Sequence, residues 1–163
     1  MDARPLLIRI AKMLEQHGLE VVLIGNAAAA LQGAPVTTVD FDFMFRKTPV
    51  NLRKLKALAK ALDAVILRPY YPASDLFRIV RDDDGLQIDF MATVHGVRSL
   101  ATLQSRAKTM TFGEARLLVA SLSDIIRSKR AAGRPRDLAV LQILERSLHE
   151  EEARDPKGKT GSP

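Results

Sequence analysis

The sequence predicts an α+β fold in which a mixed β-sheet of about four to five strands is flanked by helices and followed by a C-terminal helical segment. Two observations predict this class: short β-branched or alternating runs typical of strands, and longer stretches whose apolar residues recur at helical spacing. A third observation is that the 163 residues contain no internal repeat and no linker long enough to divide them. We therefore expect one domain over residues 1–149.

The first part of the chain predicts a helix, a strand and a second, short helix. Apolar residues recur at helical spacing over residues 6–17, and Gly18 is a typical C-terminal stop. Residues 20–24 form a β-branched run that is too short for a helix and suits a buried strand. After this strand, Asn26 is expected to cap a brief alanine-rich helix that ends at Gly33.

The next part predicts a strand, a helix and another strand. In the last part of residues 36–45, successive side chains fall alternately on two faces, as they do in a strand. Thr48 is a suitable helix cap and Pro49 suits the first helical position. The leucine stripe that follows predicts one face of this helix as far as Leu62, and residues 64–67 predict a further strand.

The middle of the chain predicts a β-hairpin. Residues 76–80 and 86–93 have strand character and are separated by an acidic turn that ends in glycine. Although the three aspartates at 82–84 resemble a metal-binding run, acidic hairpin turns are usually solvated, and we interpret them so. Residues 117–120 predict a last short strand.

The C-terminal part predicts two helices within about residues 121–148. Ser121 and Asp124 form a capping box that opens the first of them. Pro135 restarts a helix, which carries a leucine stripe up to Leu148. Residues 150–163 are charged and end in glycine, serine and proline, so we expect a disordered tail there.

Composition narrows the classes of function. The chain has no cysteine, which excludes disulfide scaffolds, thiolate metal sites and cysteine nucleophiles, and its three scattered histidines argue against a histidine-rich zinc site. The net charge of +6 favours an anionic partner such as a nucleotide or nucleic acid, although a basic domain need not bind one. The N-terminus predicts neither a signal peptide nor a membrane span, so we expect a cytoplasmic protein without membrane contact.

Three aspartates give the strongest chemical signal. Period-two spacing puts Asp40 and Asp42 on one face of a strand, with Cα atoms roughly 7 Å apart, while Val39 and the alternating phenylalanines point the other way. Asp89 repeats this pattern on a later strand. If the two strands are neighbours, three carboxylates converge as two-metal phosphoryl transfer requires, and Mg²⁺ prefers such oxygen ligands. The alternative is that these are ordinary polar residues on the solvent side of half-buried strands.

Gly25 directly follows a predicted strand and precedes a predicted helix. Because glycine has no side chain, a phosphate can approach the backbone closely at such a position. The alternative interpretation is a simple turn between the two elements.

These motifs together resemble the nucleotidyltransferase superfamily with a polymerase-beta-type fold. The run LIGNAAAALQGAPVTTVDFDFMF and the later QIDFM are similar to its pattern of hydrophobic-Gly-Gly/Ser, Asp-hydrophobic-Asp and a third acidic residue. The segment DIIRSKRAAGRPRDLAVLQIL resembles a block of abortive-infection nucleotidyltransferases and of toxin-like nucleotidyltransferases in toxin–antitoxin systems. The resemblance extends over about residues 4–148.

The resemblance implies a role for each acidic residue and for the nucleotide-binding groups. Asp40 and Asp42 would hold Mg²⁺, with two ions expected, and Asp89 would complete the metal site and help to activate the acceptor. The nucleotide-binding groups would be Gly25, Asn26, Thr38, Lys129 and Asp137. Lys129 would also act in catalysis by neutralising phosphate charge, and an exposed helix lysine is the alternative to that role.

The resemblance also implies an activity. The chain would transfer a nucleoside monophosphate from an NTP to a hydroxyl of an RNA end, such as that of tRNA, or of a protein. It could serve as the toxin of a toxin–antitoxin pair, with an antitoxin protein as partner. Asn26 replaces the second Gly or Ser of the pattern, and Val36 stands where many relatives have Arg or Lys. These departures leave open a catalytically inactive module that binds nucleotide or nucleic acid, and three carboxylates also leave open a phosphodiesterase.

Overall fold

The computed structural model describes residues 4–38 and 40–155. Within these residues, six helices flank one seven-stranded mixed sheet. The helices are α1 (Arg4–Gln16), α2 (Gly25–Leu31), α3 (Pro49–Ala61), α4 (Leu100–Arg106), α5 (Leu122–Ala132) and α6 (Pro135–Arg154). The strands are β1 (Val21–Ile24), β2 (Phe41–Phe45), β3 (Val65–Leu67), β4 (Phe77–Arg81), β5 (Leu86–Met91), β6 (Lys108–Phe112) and β7 (Ala115–Val119).

The predicted α+β class with a mixed sheet is confirmed, but the described residues contain seven strands where about four to five were expected. Helix α4 and strand β6 were not predicted from the sequence. Helix α4 has only seven residues, and β6 is an edge strand, KTMTF, whose side chains are mostly exposed. Short, exposed elements have weak hydrophobic periodicity, so the pattern that predicts other elements is faint there.

The sheet has the strand order β3-β4-β5-β2-β1-β7-β6. Strand β1 lies near the middle, antiparallel to β2 and parallel to β7, while β2 runs parallel to β5. The remaining neighbours are antiparallel hairpin pairs. The last strand of the chain is therefore placed beside the first, and both halves of the sequence share one sheet.

Aromatic residues of β2, β4 and β5 form part of the core on one side of the sheet. The rings of Phe43 and Phe90 stack with centroids 5.4 Å apart, and Phe45 meets Phe77 and Phe90 edge-on. Such pairs contribute about 0.5–1.5 kcal/mol each beyond their area burial. Because side chains alternate along a strand, the residues next to these phenylalanines point to the other face.

Side-chain caps begin two of the predicted helices as expected. Thr48 accepts a hydrogen bond from the Asn51 amide at the start of α3, and Ser121 accepts one from the Asp124 amide at the start of α5. The cap predicted at Asn26 is wrong. Helix α2 already begins at Gly25, so Asn26 lies in its first turn and no side chain caps the helix.

Helix α6 is longer than predicted. It continues to Arg154, so the first residues of the segment expected to be a disordered tail, 150–154, are helical. Residues 156–163 of that segment lie outside the described residues. None of the helices in the described ranges combines the length and apolar character needed to cross a membrane.

Candidate active site

A row of side chains crosses the sheet at the level of Asp42. Strand pairing places Asp42 of β2 beside Ile24 of β1 on one side and beside Asp89 of β5 on the other, and Arg78 of β4 follows as the next neighbour of Asp89. Directly paired residues project from the same face of a sheet. The predicted juxtaposition of Asp42 and Asp89 on adjacent strands is therefore present.

Asp40 reaches the same region from a different backbone position than expected. Strand β2 begins at Phe41, so Asp40 lies in the bend before the strand rather than on its face. Both Asp40 and Asp42 nevertheless line one cavity. The predicted position of Val39 on the opposite face lies outside the described residues.

Gly25 lies directly against the Asp42 carboxylate. Its φ of +71° is in the left-handed region, which favours glycine. A Cβ atom added at this position would be 3.0 Å from Asp42 Oδ2. The absence of a side chain at Gly25 is thus what allows the backbone and the carboxylate to approach each other.

Negative charge is concentrated around Asp42. Burial, together with the nearby carboxylates of Asp89 and Asp40, raises the pKa of Asp42 to about 6, against the opposing charges of Lys129 and Arg78. Within the described part of the chain, the carboxylates of Asp40 and Asp42 form no hydrogen bond or ion pair. This region is therefore suited to a cation.

Lys129 of α5 faces the same cavity from the helical side. Its side chain is 14% exposed, and Nζ lies 3.7 Å from Asp137 Oδ1 of α6. Burial lowers the pKa of Lys129, although the carboxylates of Asp137 and Asp42 favour its charged form. Burial would raise the pKa of Asp137, but the hydrogen bond and charge of Arg134, with the charge of Lys129, lower it overall. The Arg134 Nε atom donates to Asp137 Oδ2 at 2.6 Å.

The other two predicted nucleotide-binding residues also line this cavity. Thr38 Oγ1 donates to the Asp40 carbonyl at 2.7 Å, which fixes the backbone just before β2. The Asn26 Oδ1 atom is buried without a hydrogen-bond partner among the described residues. Val36, the other departure from the family pattern, packs against the hydrophobic core.

The cavity has a volume of about 920 Å³, which lies in the range of small-molecule sites. Seven of the predicted site residues line its wall, together with two arginines at the start of α6. These lining residues are Gly25, Asn26, Thr38, Asp40, Asp42, Lys129, Asp137, Arg134 and Arg136. Tyr70, the segment 72–76 and several residues between 91 and 97 line its other part.

The sequence analysis missed Arg78. Its guanidinium group donates to both carboxylate oxygens of Asp89, with Nε to Oδ1 at 2.9 Å and Nη2 to Oδ2 at 3.1 Å. A signal for this pair was available, because the predicted hairpin with its turn at 82–85 puts position 78 opposite position 89. Arg134, which precedes α6, was likewise not predicted as an ion-pair partner of Asp137.

The carboxylates that line the cavity suit a divalent cation, but the protein supplies only a few ligands for it. Among the described residues, no three acidic or histidine side chains form a group able to hold a metal ion by themselves. The carboxylates of Asp40 and Asp42 have no ion-pair partner in the described part of the chain, and Mg²⁺ commonly binds through one or two carboxylates together with substrate phosphate. The open backbone at Gly25 leaves room for such a phosphate. The residues therefore fit Mg²⁺, while the role of Asp89 as a metal ligand stays a prediction.

Comparison with known proteins gives a family and a fold. Residues 3–155 match the family described as "Nucleotidyl transferase of unknown function (DUF2204)". No curated protein matches the sequence. The solution structure of the antibiotic-resistance factor ANT(2'')-Ia shares the fold at a TM-score of 0.63, with 16% identity over 94% of this chain and 89% of that chain.

Two further solved structures are similar. The crystal structure of ANT(2'')-Ia in complex with adenylyl-2''-tobramycin has a TM-score of 0.61, with 16% identity over 93% of this chain and 92% of that chain. A candidate nucleotidyltransferase from Thermotoga maritima has a TM-score of 0.58, with 16% identity over 90% of this chain and 92% of that chain. At this identity the likeness shows the fold alone.

Proposed function

Since the chain belongs to the family of nucleotidyl transferases of unknown function, DUF2204, we propose that it transfers a nucleoside monophosphate from an NTP to an acceptor hydroxyl in an Mg²⁺-dependent reaction. The acceptor oxygen forms a bond to the α-phosphorus, the bond from that phosphorus to the bridging oxygen breaks, and pyrophosphate leaves. The observation that carries this proposal is the convergence of Asp42, Gly25 and Lys129 on one cavity next to Asp89.

Each residue of the site would have a separate role in this reaction. Asp40 and Asp42 would hold Mg²⁺, which supplies charge neutralisation and orientation of the phosphates when bound. The bare backbone at Gly25 admits the phosphate chain beside Asp42. Lys129 offers a compact positive charge to the leaving pyrophosphate. Asp89, next to Asp42 on the sheet, would help to orient the acceptor hydroxyl, whose proton is released to solvent.

The remaining nucleotide contacts are supporting ones. Asp137 holds Lys129 at the cavity through its ion pair, and Thr38 fixes the backbone that precedes β2. Asn26 lines the cavity beside Gly25 and would contact the nucleotide there. Asp137 and Thr38 act by placing other groups, so we expect smaller losses from their removal than from removal of Asp42.

We propose an RNA end, such as that of tRNA, or a protein hydroxyl as the acceptor. The net charge of +6 and the arginines at the start of α6 support an anionic acceptor, which favours RNA over an acidic or neutral protein. A role as the toxin of a toxin–antitoxin pair, and an antitoxin partner, stay predictions that rest on the sequence resemblance.

Transfer of radiolabel tests the proposal. The protein is incubated with each α-³²P-labelled NTP, Mg²⁺ and either total RNA or total protein, and we expect label in an acceptor. Asp40→Asn and Asp42→Asn should each reduce transfer by about 10²–10³-fold, as loss of a transition-state electrostatic group does. Asp83→Asn removes the same charge in the exposed turn and should leave transfer unchanged. Undiminished transfer in both site variants would refute the assignment.

The alternative is a non-catalytic module that binds nucleotide or nucleic acid. Two observations favour it: Asn26 occupies the first turn of α2 in place of Gly or Ser, and Arg78 holds Asp89. Calorimetric titration with an NTP separates the two functions. Binding that is unchanged by Mg²⁺, together with no label transfer to any acceptor, would select the binding module.

A further inference from the structure

The carboxylate of Asp89 is already neutralised within the protein. Arg78 donates to both of its oxygens, and the Gln87 amide lies 3.5 Å from Oδ2. The Asp89 side chain is 9% exposed, whereas that of Arg78 is 24% exposed. Planar two-point pairing of this kind fixes the orientation of a carboxylate and is stronger than a single neutral hydrogen bond.

The two other carboxylates differ from Asp89 in both charge and access. Asp40 and Asp42 line the cavity, whereas Asp89 is not among its lining residues in the described part of the chain. Neither Asp40 nor Asp42 pairs with a cation among residues 4–38 and 40–155, as noted above. The cluster therefore contains one carboxylate that is held in a direct ion pair and two that form none within the described residues.

We propose that Arg78 is a positioning residue that keeps Asp89 out of the metal coordination, so that the site binds one divalent cation through Asp40 and Asp42. The charge of one such ion matches the two free carboxylates. A second cation at Asp89 would have to displace the guanidinium group or approach it closely, and like charges at such separation repel strongly in a partly buried site. This inference rests on the proposed function and narrows the two ions of the sequence analysis to one.

The backbone holds the Arg78–Asp89 pair in place. Arg78 and Asp89 are direct partners in the antiparallel β4–β5 pair, and Asp42 is the direct partner of Asp89 on the other side. All three side chains thus project from neighbouring, hydrogen-bonded strands. Asp89 is consequently presented next to Asp42 in a fixed orientation, without being needed as a ligand.

Counting the bound ions in the unmodified protein is the first test. Mn²⁺ replaces Mg²⁺, an NTP analogue that cannot be cleaved at the α-phosphorus is added, and electron paramagnetic resonance reports the bound ions. We expect one Mn²⁺ per chain with the six-line spectrum of an isolated ion. Two bound ions with a spectrum broadened by spin coupling, as at a separation of about 3.5–4 Å, would overturn the inference.

A charge-balanced double variant is the second test. Arg78→Gln with Asp89→Asn removes both charges of the pair and retains hydrogen-bonding groups. We expect Mn²⁺ affinity, measured by calorimetry, to stay within about threefold of the unmodified protein, whereas Asp42→Asn should lower it by more than about tenfold, or 1.4 kcal/mol. A loss in the double variant as large as in Asp42→Asn would show that Asp89 is a metal ligand and overturn the inference.

The same hairpin offers a matched control. Arg81 pairs with both carboxylate oxygens of Asp84 close to the turn, so Arg81→Gln with Asp84→Asn breaks an equivalent pair away from the cavity. Mn²⁺ affinity should be unchanged in this variant. Failure of the unmodified protein to bind Mn²⁺ with or without nucleotide would instead contradict the Mg²⁺ dependence of the proposed function, and the inference with it. Two bound ions would contradict the inference alone.

Discussion

At Gly25, substitution can distinguish the effect of backbone conformation on stability from the effect of a side chain on the site. In Gly25→Ala the new methyl group would be 3.0 Å from Asp42 Oδ2, and φ of +71° is unfavourable for alanine. Gly33→Ala is the matched control at the other end of α2, because Gly33 also has a positive φ but nothing within 4 Å of an added Cβ. We expect both variants to lose about 1 kcal/mol of unfolding free energy in urea titrations.

Only Gly25→Ala should affect the site, because only its methyl group displaces the Asp42 carboxylate. We expect label transfer to fall by at least about tenfold in Gly25→Ala, as misplacement of a catalytic group causes, and to be retained in Gly33→Ala. Equal transfer in the two variants would show that close approach at Gly25 has no functional role.

Asp42 predicts an unusual dependence of stability on pH. Its pKa of about 6 in the folded protein lies above its ordinary value of 3.8. The folded state therefore binds a proton that the unfolded state has lost between these pH values, and this contribution to stability disappears as pH rises from about 4 to above 6. At neutral pH without metal, the ionised carboxylate is destabilising by on the order of 3 kcal/mol.

Asp42→Asn removes this titration. In thermal melts with a chelator, we expect the variant to have a midpoint higher than that of the unmodified protein by roughly 6–12 °C at pH 7.5. The two should converge below the ordinary pKa of 3.8, and Mg²⁺ should narrow the difference at pH 7.5. Asp83→Asn, which removes an exposed carboxylate, should show no such pH-dependent difference. A constant difference between Asp42→Asn and the unmodified protein at all pH values would contradict the raised pKa.

The sequence predicted the residues of this site better than their contacts. Alternation within β2 and β5 was enough to place Asp42 and Asp89 on matching faces, because a strand has a period of two. It could not show that β2 begins only at Phe41, and it did not identify Arg78 as the partner of Asp89. From the sequence alone, a carboxylate has several possible ion-pair partners. The pairing of strands in the folded sheet determines which of them it contacts.

At the level of elements, α5 and α6 are joined by two ion pairs that differ in burial. Asp137 is 2% exposed and contacts both Lys129 and Arg134, whereas Arg130 and Glu145 form an exposed pair between the same helices. Removing one member of a buried pair leaves uncompensated charge, whereas exposed pairs contribute little. The orientation of Lys129 toward the cavity therefore depends on Asp137.

This contrast predicts unequal effects of two alanine substitutions. Asp137→Ala should lower the free energy of unfolding by about 2–3 kcal/mol and reduce label transfer, because Lys129 loses its anchor. Glu145→Ala should cost less than about 0.5 kcal/mol and leave transfer unchanged. Urea denaturation and the transfer assay measure both quantities. Equal losses of unfolding free energy in the two variants would mean that the burial of Asp137 does not make its ion pair more important than the exposed one.

Element boundaries were predictable where side chains mark them. Thr48 and Ser121 act as caps because their oxygens accept amide hydrogen bonds, and this chemistry is visible in the sequence. Asn26 has the same capping chemistry, yet α2 starts one residue earlier, at Gly25, whose positive φ allows a direct passage from strand to helix. The close approach of Gly25 to Asp42 is a tertiary contact that a local sequence pattern does not show.

At the scale of the whole molecule, the sheet connects distant parts of the chain. Strand β7 pairs with β1, and α1 packs against β7, so the N-terminal and C-terminal parts complete each other. Local patterns do not specify such pairings, because every amphipathic strand offers two edges. The sequence therefore predicted the fold class from its elements and the nucleotidyltransferase arrangement only from its resemblance to a known superfamily.

This interleaving predicts a single cooperative unfolding transition, as we proposed for one domain. Circular dichroism at 222 nm reports the helices, and tyrosine fluorescence reports the segment around Tyr70 and Tyr71. The two signals should give the same urea midpoint, as two-state behaviour requires. Loss of helical signal well before the tyrosine signal would contradict a single unit.

The exposed turn at Asp82, Asp83 and Asp84 provides a position for chemical labelling. Strand β5 carries the chain from this turn to Asp89 over four residues, a span of about 13 Å, so the turn is separated from the cavity. The sequence contains no cysteine, and a single thiol introduced by Asp83→Cys would thus be the sole site for a maleimide dye. Fluorescence anisotropy of the dye-labelled protein would then measure its association with RNA directly.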